Sequence, residues 1–280
     1  MIIEFEENIK EDIKIMVLDL ESKLENIKPT GIEKFEEITL SINSNEFYQC
    51  EIIFGSTIRI SQKTIEILWS LNYAHLYFYE HFCKGVLPEG QTITLNEEKW
   101  GLIIPQLEWA VNNLNGINSD FSESFNRDFK NTNSYGLISG YSLLFFISHE
   151  LFHTLNSKKF NEILEEENQC DFDATMFIIN ALSDIDYIER SKGVALGLMM
   201  INVYGIHSEN YDGKTHPFTY DRLIDNLSLC FGNENDKIWG IVVAMFALHL
   251  SNKRIQQPTN VHDNFYQCML SYKKILEKLL

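Results

Sequence analysis

The sequence predicts an α+β fold, predominantly α-helical, with a small antiparallel β-sheet near the N-terminus. Between Ile38 and Ile60 the residues alternate and are rich in β-branched and aromatic types, the signature of strands with one buried face. Almost everywhere else apolar residues recur every three and four positions, which is the helical period. Hydrophobic residues make up 45% of the 280 positions and charged ones 22%, ordinary values for a chain that buries a core. The chain therefore reads as one domain, 1–280. Residues 1–134 form an N-terminal unit of helix, sheet and helices, and residues 135–280 form a helical core.

Taken in order, the segment from about Phe5 to Ile27 places Ile9, Ile13, Met16, Val17, Leu20 and Leu24 on one helical stripe, and Pro29 and Gly31 stop it. Three strands follow at Thr39–Ile42, Phe47–Phe54 and Thr57–Ile60, with turn residues at Asn43-Ser44-Asn45 and Gly55-Ser56. A helix then runs from Ser61 to about Lys84. Its aromatic stripe of Trp69, Tyr73, Tyr77 and Phe78 reads as core packing. Another helix spans about Asn96 to Leu114, with Pro105 as a kink or boundary. The polar stretch from Asn115 to Ser134 reads as a long loop, a length that often covers a functional site. From Tyr135 onward the pattern is helical to the end: to about Asn156, then Glu165–Ala181, Tyr187–Ile206, Phe218–Cys230, Asp236–Leu250 and His262–Leu280.

Charge and cysteine usage exclude several classes. A formal charge of −17 with no basic run argues against binding nucleic acid through its phosphates. The five cysteines are scattered and include no CxxC pair, so no disulfide framework is expected. The N-terminus has no basic n-region or apolar h-region, and the expectation is a cytoplasmic chain. In the most apolar window, Tyr135–Leu155, the run Leu143–Ile147 is short and ends in Ser148-His149-Glu150, which favours a buried helix over a membrane span.

That helix carries the most specific chemistry in the chain, His149-Glu150-Leu151-Phe152-His153. Residues four apart share a helix face. His149 and His153 can therefore ligate one Zn²⁺, and Glu150 can act as general base on a water at the metal. The plainer alternative is a helix with two surface histidines and a glutamate.

Catalytic zinc needs a third protein ligand from a neighbouring element. Glu167 lies fourteen residues beyond His153 and is spaced i, i+4 from Asp171. Glu167 suits the ligand role, and Asp171 suits a hydrogen bond to the far nitrogen of a ligand histidine. Glu165 and Glu166 read as a solvated acidic first turn. Further on, His216, fixed by Pro217, and Arg222 offer donors to a developing oxyanion. Taken alone, that pair reads equally as a helix entry with a surface histidine and a structural arginine. His75, His81, His207, His249 and His262 have no partners at ligand spacing and read as structural.

The order His-Glu-x-x-His, then Glu167, Asp171 and Ala174, then His216-Pro217 and Arg222 resembles that of gluzincin metallopeptidases, including the HtpX and CAAX-prenyl-protease group. Those relatives are membrane proteins. The chain is most similar to the Lit family of bacterial phage-exclusion peptidases, from Ile65–Trp69 to Arg222, with little likeness in the first sixty residues. It departs from the family at Cys170, commonly Ala, and at Gln169, commonly an acid. The resemblance implies a zincin-like fold and one catalytic zinc. It also implies a zinc metalloendopeptidase that cleaves a cellular protein, with a translation elongation factor as candidate target. A further reading is a peptidase kept latent until a phage-encoded component binds as activator, with the loop from Asn115 to Ser134 as its gate. A non-catalytic helical binding or sensor module, with structural metal or none, is the alternative.

Overall fold

The computed structural model describes residues 2–9, 39–45, 49–53, 57–83, 97–117, 133–156, 163–180, 186–208, 219–233, 236–258 and 262–278, together with scattered positions between 11 and 18. Among the described residues the strands are β1 (Ile2–Phe5), β2 (Thr39–Asn43), β3 (Cys50–Ile53) and β4 (Thr57–Ser61), with helical positions between 11 and 18 separating β1 from β2. The helices follow as α1 (Gln62–Phe78), which continues into a π-helical turn at Tyr79–Cys83, α2 (Glu97–Leu114), α3 (Asn133–Asn156), α4 (Ile163–Ile179), α5 (Tyr187–Ser208), α6 (Thr219–Phe231), α7 (Asp236–Asn252) and α8 (Phe265–Leu276). The α+β class with helical predominance is as the periodicity predicts. None of the described helices is long and apolar enough to cross a membrane.

The sheet corrects the expected topology. Its order is β1-β2-β4-β3, so it has four strands rather than three. β1 pairs parallel with β2 and β2 parallel with β4, and antiparallel pairing is confined to β3 and β4. Alternation reveals which face of a strand is buried but is blind to strand direction, because the period is two either way. Here β3 folds back on the outer side of β4, which leaves β2 and β4 running the same way. Leu40 and Ile42 of β2 register with Ile58 and Ile60 of β4, and all four are buried.

The expected helix from Phe5 is also corrected at its start, since Ile2–Phe5 is a strand. Glu6 donates its backbone N–H to Ile42 O at 3.0 Å, and Asn8 turns the chain at φ 75°, a left-handed conformation that asparagine tolerates. Helical positions are described only from Glu11 onward, and their inward residues Ile13 and Val17, with Ile9 just ahead, join the core. The remainder of that predicted helix lies outside the described residues, as do Phe54, Gly55 and most of the loop from Asn115 to Ser134.

α1 is the central helix, buried along almost its whole length. Ser61 caps it by accepting from Thr64 N at 3.0 Å. The aromatic stripe packs as expected, with Trp69 against Tyr73 at 5.4 Å and Tyr73 against Tyr77 at 5.8 Å. Pro105 lies inside α2 and does not bound it. The carbonyl deprived of its partner by the proline belongs to Gly101, an exposed residue whose carbonyl water can reach.

Two glycines set α5 directly on α3. A Cβ added at Gly193 would stand 2.9 Å from Ile138 O, and one at Gly197 would stand 2.8 Å from Phe145 Cδ1. Being i and i+4, they form a backbone groove on α5 that receives α3. Across the inner helices runs a second feature, a chain of histidines. His75 Nε2 of α1 meets His249 Nε2 of α7 at 2.6 Å, and His249 Nδ1 meets His207 Nε2 of α5 at 3.0 Å. Burial disfavours the charged ring, lowering His75 to about 3 and, with help from Lys253, His207 to about 4. The three histidines are thus neutral at pH 7.

Gly193→Ala should cost about 1–3 kcal/mol by overpacking, read as a lowered midpoint in denaturant. The histidines set a pH dependence whose sign follows from their lowered values. The unfolded chain takes up protons near 6.5 while the folded chain does not, so this stability is present above pH 6.5 and is lost as the pH falls. Between pH 7 and pH 5 His75 should remove on the order of 2 kcal/mol. Measured as ΔG of unfolding at both pH values, the wild type should show a steeper loss than His75→Phe, and equal slopes would contradict the assignment.

Candidate metal centre

The site forms where α3 crosses α4, with α6 behind. His149 and His153 are one helical turn apart on α3, and their Nε2 atoms lie 3.0 Å from each other. Glu167 of α4 closes the third side, with Oε1 3.3 Å from His153 Nε2 and Oε2 3.6 Å from His149 Nε2. Two nitrogens about 2.05 Å from a tetrahedral zinc would sit roughly 3.3 Å apart. The set of two imidazoles and one carboxylate thus fits zinc in both chemistry and spacing, and three protein ligands leave a fourth position open for water or substrate.

Each histidine is held from behind. Asp171 Oδ1 lies 2.9 Å from His149 Nδ1, and Glu166 Oε1 lies 3.1 Å from His153 Nδ1. With both Nδ1 atoms facing carboxylates, the proton belongs on Nδ1 and the Nε2 lone pairs point to the shared position. Glu166 corrects the expectation of a solvated first-turn glutamate. Its neighbour Glu165 is exposed as expected.

Arg222, buried on α6, donates from Nε to Asp171 Oδ2 at 2.6 Å and from Nη2 to Asp171 Oδ1 at 2.8 Å. The same Nη2 stands 3.2 Å from Glu167 Oε2. Burial raises the Asp171 carboxyl, but Arg222 and His149 outweigh it and hold the group below its ordinary value. This fork grips both carboxylates of the i, i+4 pair.

Glu150 is half-buried. Its carboxyl is raised by burial, while His149 and His153 pull it down and Glu167 pushes it further up. A raised value suits a group that must take and return protons near neutrality. The Glu150 charge also reaches Cys50 on the edge strand β3, where burial first and then Glu150 push the thiol well up. β3 and α3 are in contact, so the sheet edge runs beside the proposed base. Burial opposes a charged His153, yet hydrogen bonds with Cys170, Glu167 and Glu166 override it and push the ring up to about 11.

Six of the seven residues singled out in the sequence, His149, Glu150, His153, Glu167, Asp171 and Arg222, are thus gathered at one place. His216 lies outside the described residues.

The family model described as Peptidase U49 matches residues 58–242. That span covers more than half of the chain and includes every element that builds the site. No curated protein matches the chain, and no solved structure does. The chain belongs to the peptidase U49 family, the Lit-like peptidases that the motif order resembles.

Replacing Glu166 by Gln keeps its size and removes its charge, so His153 becomes a less basic ligand. Zinc affinity should fall about 10-fold or more, as read by competition with a chromophoric chelator. Unchanged affinity would remove Glu166 from the site.

Proposed function

We propose that this member of the peptidase U49 family is a zinc-dependent endopeptidase. The observation that carries the reading is the convergence of His149 Nε2, His153 Nε2 and the Glu167 carboxylate at mutual separations of 3.0, 3.3 and 3.6 Å. A zinc ion held there supplies Lewis acidity, polarising a peptide carbonyl and making a water nucleophilic at neutral pH.

The chain's own residues do the rest. Glu150 accepts the proton of the attacking water and returns it to the leaving amine. Asp171 and Glu166 hold the two imidazoles in the ligating tautomer. Arg222 positions Glu167 and Asp171, a role its short contacts favour over that of an oxyanion donor. His216, ahead of α6, remains the candidate donor to the tetrahedral oxyanion on the strength of its motif. β3, an edge strand beside α3, suits an extended substrate chain that adds to the sheet.

The family resemblance supports a cellular protein as substrate, with a translation elongation factor as the first candidate. It also supports a role in phage exclusion, with a phage-encoded component as candidate activator, and cytoplasmic action fits such a target.

Glu150→Gln should retain about one equivalent of zinc while cleavage falls about 10²–10⁴-fold. Comparing protein fragments in cells that express the wild type and this variant would reveal the substrate at the same time. A variant keeping both metal and full cleavage would remove Glu150 as base. Purified protein with no zinc near one equivalent, unchanged by His153→Ala, would instead establish a binding module.

A further inference from the structure

α4 presents two i, i+4 pairs to α3. Glu167 faces both histidines, and Asp171 backs His149. Glu166 and Cys170 lie one residue round the same helix and serve His153. A His153 ring nitrogen, a Glu166 carboxylate oxygen and Cys170 Sγ all lie within 4.8 Å of one another. Cys170 is buried with 0% exposure, and its thiol is hydrogen-bonded to the His153 ring. The nitrogen that faces Glu166 is Nδ1, at 3.1 Å, whereas Nε2 faces His149 and Glu167.

We infer that His153, Glu166 and Cys170 form a second cation site, selective for thiophilic divalent ions, that competes with the zinc site for His153. A nitrogen, a carboxylate oxygen and a thiolate sulfur make a softer set than the two imidazoles and carboxylate next door. Cation entry displaces the Cys170 thiol proton to solvent and forms a metal–sulfur bond. Competition follows from the ring itself, since a neutral imidazole has one lone-pair nitrogen and one N–H. When Nδ1 binds a cation, the proton moves to Nε2, which then has no lone pair for zinc. When Nε2 binds zinc, Nδ1 carries the proton and donates to Glu166. Thiophilic ions would thus inactivate the enzyme by capturing one of its ligands. The competition rests on the zinc reading given above, whereas the soft site itself does not.

Cadmium(II) is the probe, because cadmium thiolates absorb in the ultraviolet and cadmium bound by nitrogen and oxygen does not. Metal-free full-length protein titrated with cadmium should develop the thiolate band, and loading one equivalent of zinc beforehand should weaken cadmium binding at least tenfold. Cys170→Ala and Cys170→Ser should lose the band yet take up zinc as the wild type does, and Cys50→Ala should keep it. A band that survives in both Cys170 variants, or no band in the wild type, would overturn the site while leaving the zinc reading intact. A band insensitive to zinc in a protein that takes up one equivalent would overturn the competition. A wild type that binds cadmium through Cys170 but takes up no zinc would overturn the zinc reading instead.

Discussion

The candidate metal centre depends on the buried fork between Arg222 and Asp171. Both groups lie within the protein, and the two hydrogen bonds at 2.6 and 2.8 Å are charge-assisted and bidentate. Such a pair pays heavily in desolvation and adds little net stability. Losing one partner, however, would strand a buried charge at a cost of about 3–5 kcal/mol. What the fork provides is placement. It ties α6 to α4, aims Asp171 at His149 Nδ1, and leaves one guanidinium nitrogen against Glu167.

The rest of the fold brings α3 and α4 to the right separation and keeps them there. The groove at Gly193 and Gly197 lets the backbone of α5 touch α3, which fixes the depth at which His149 sits. α1, capped by Ser61 and buried nearly all round, supports α3 from another side. The sheet covers that layer with the apolar face of Leu40, Ile42, Ile58 and Ile60 and presents the β3 edge to the site. One hydrophobic cluster joins residues from Ile9 to Leu276, so helix packing and ligand spacing are set together.

Interactions within a single helix were legible in the sequence, and those between elements were less so. His149 and His153, like Glu167 and Asp171, are four residues apart, so a local period predicts their shared face. The partnership of Glu166 with His153 depends on how far α4 is rotated against α3, which no short window encodes. The fork of Arg222 spans 51 residues and the contact of His75 with His249 spans 174, and neither leaves a local trace. In the sheet, alternation marked the buried faces of β2 and β4 but not their direction. β1 escaped because four residues ahead of a helical stripe are too few to show a period.

α7 is apolar and buried along almost its whole length, and it packs against α1, α5 and α8. Its His249 is the middle link between His75 and His207. During synthesis all the gathered site residues, the last of them Arg222, leave the ribosome before α7 does. Until α7 arrives, α1 and α5 lack one of the helices that cover them, while their partners in α3 are already made. The candidate site residues therefore precede, in the order of synthesis, a helix on which their scaffold rests.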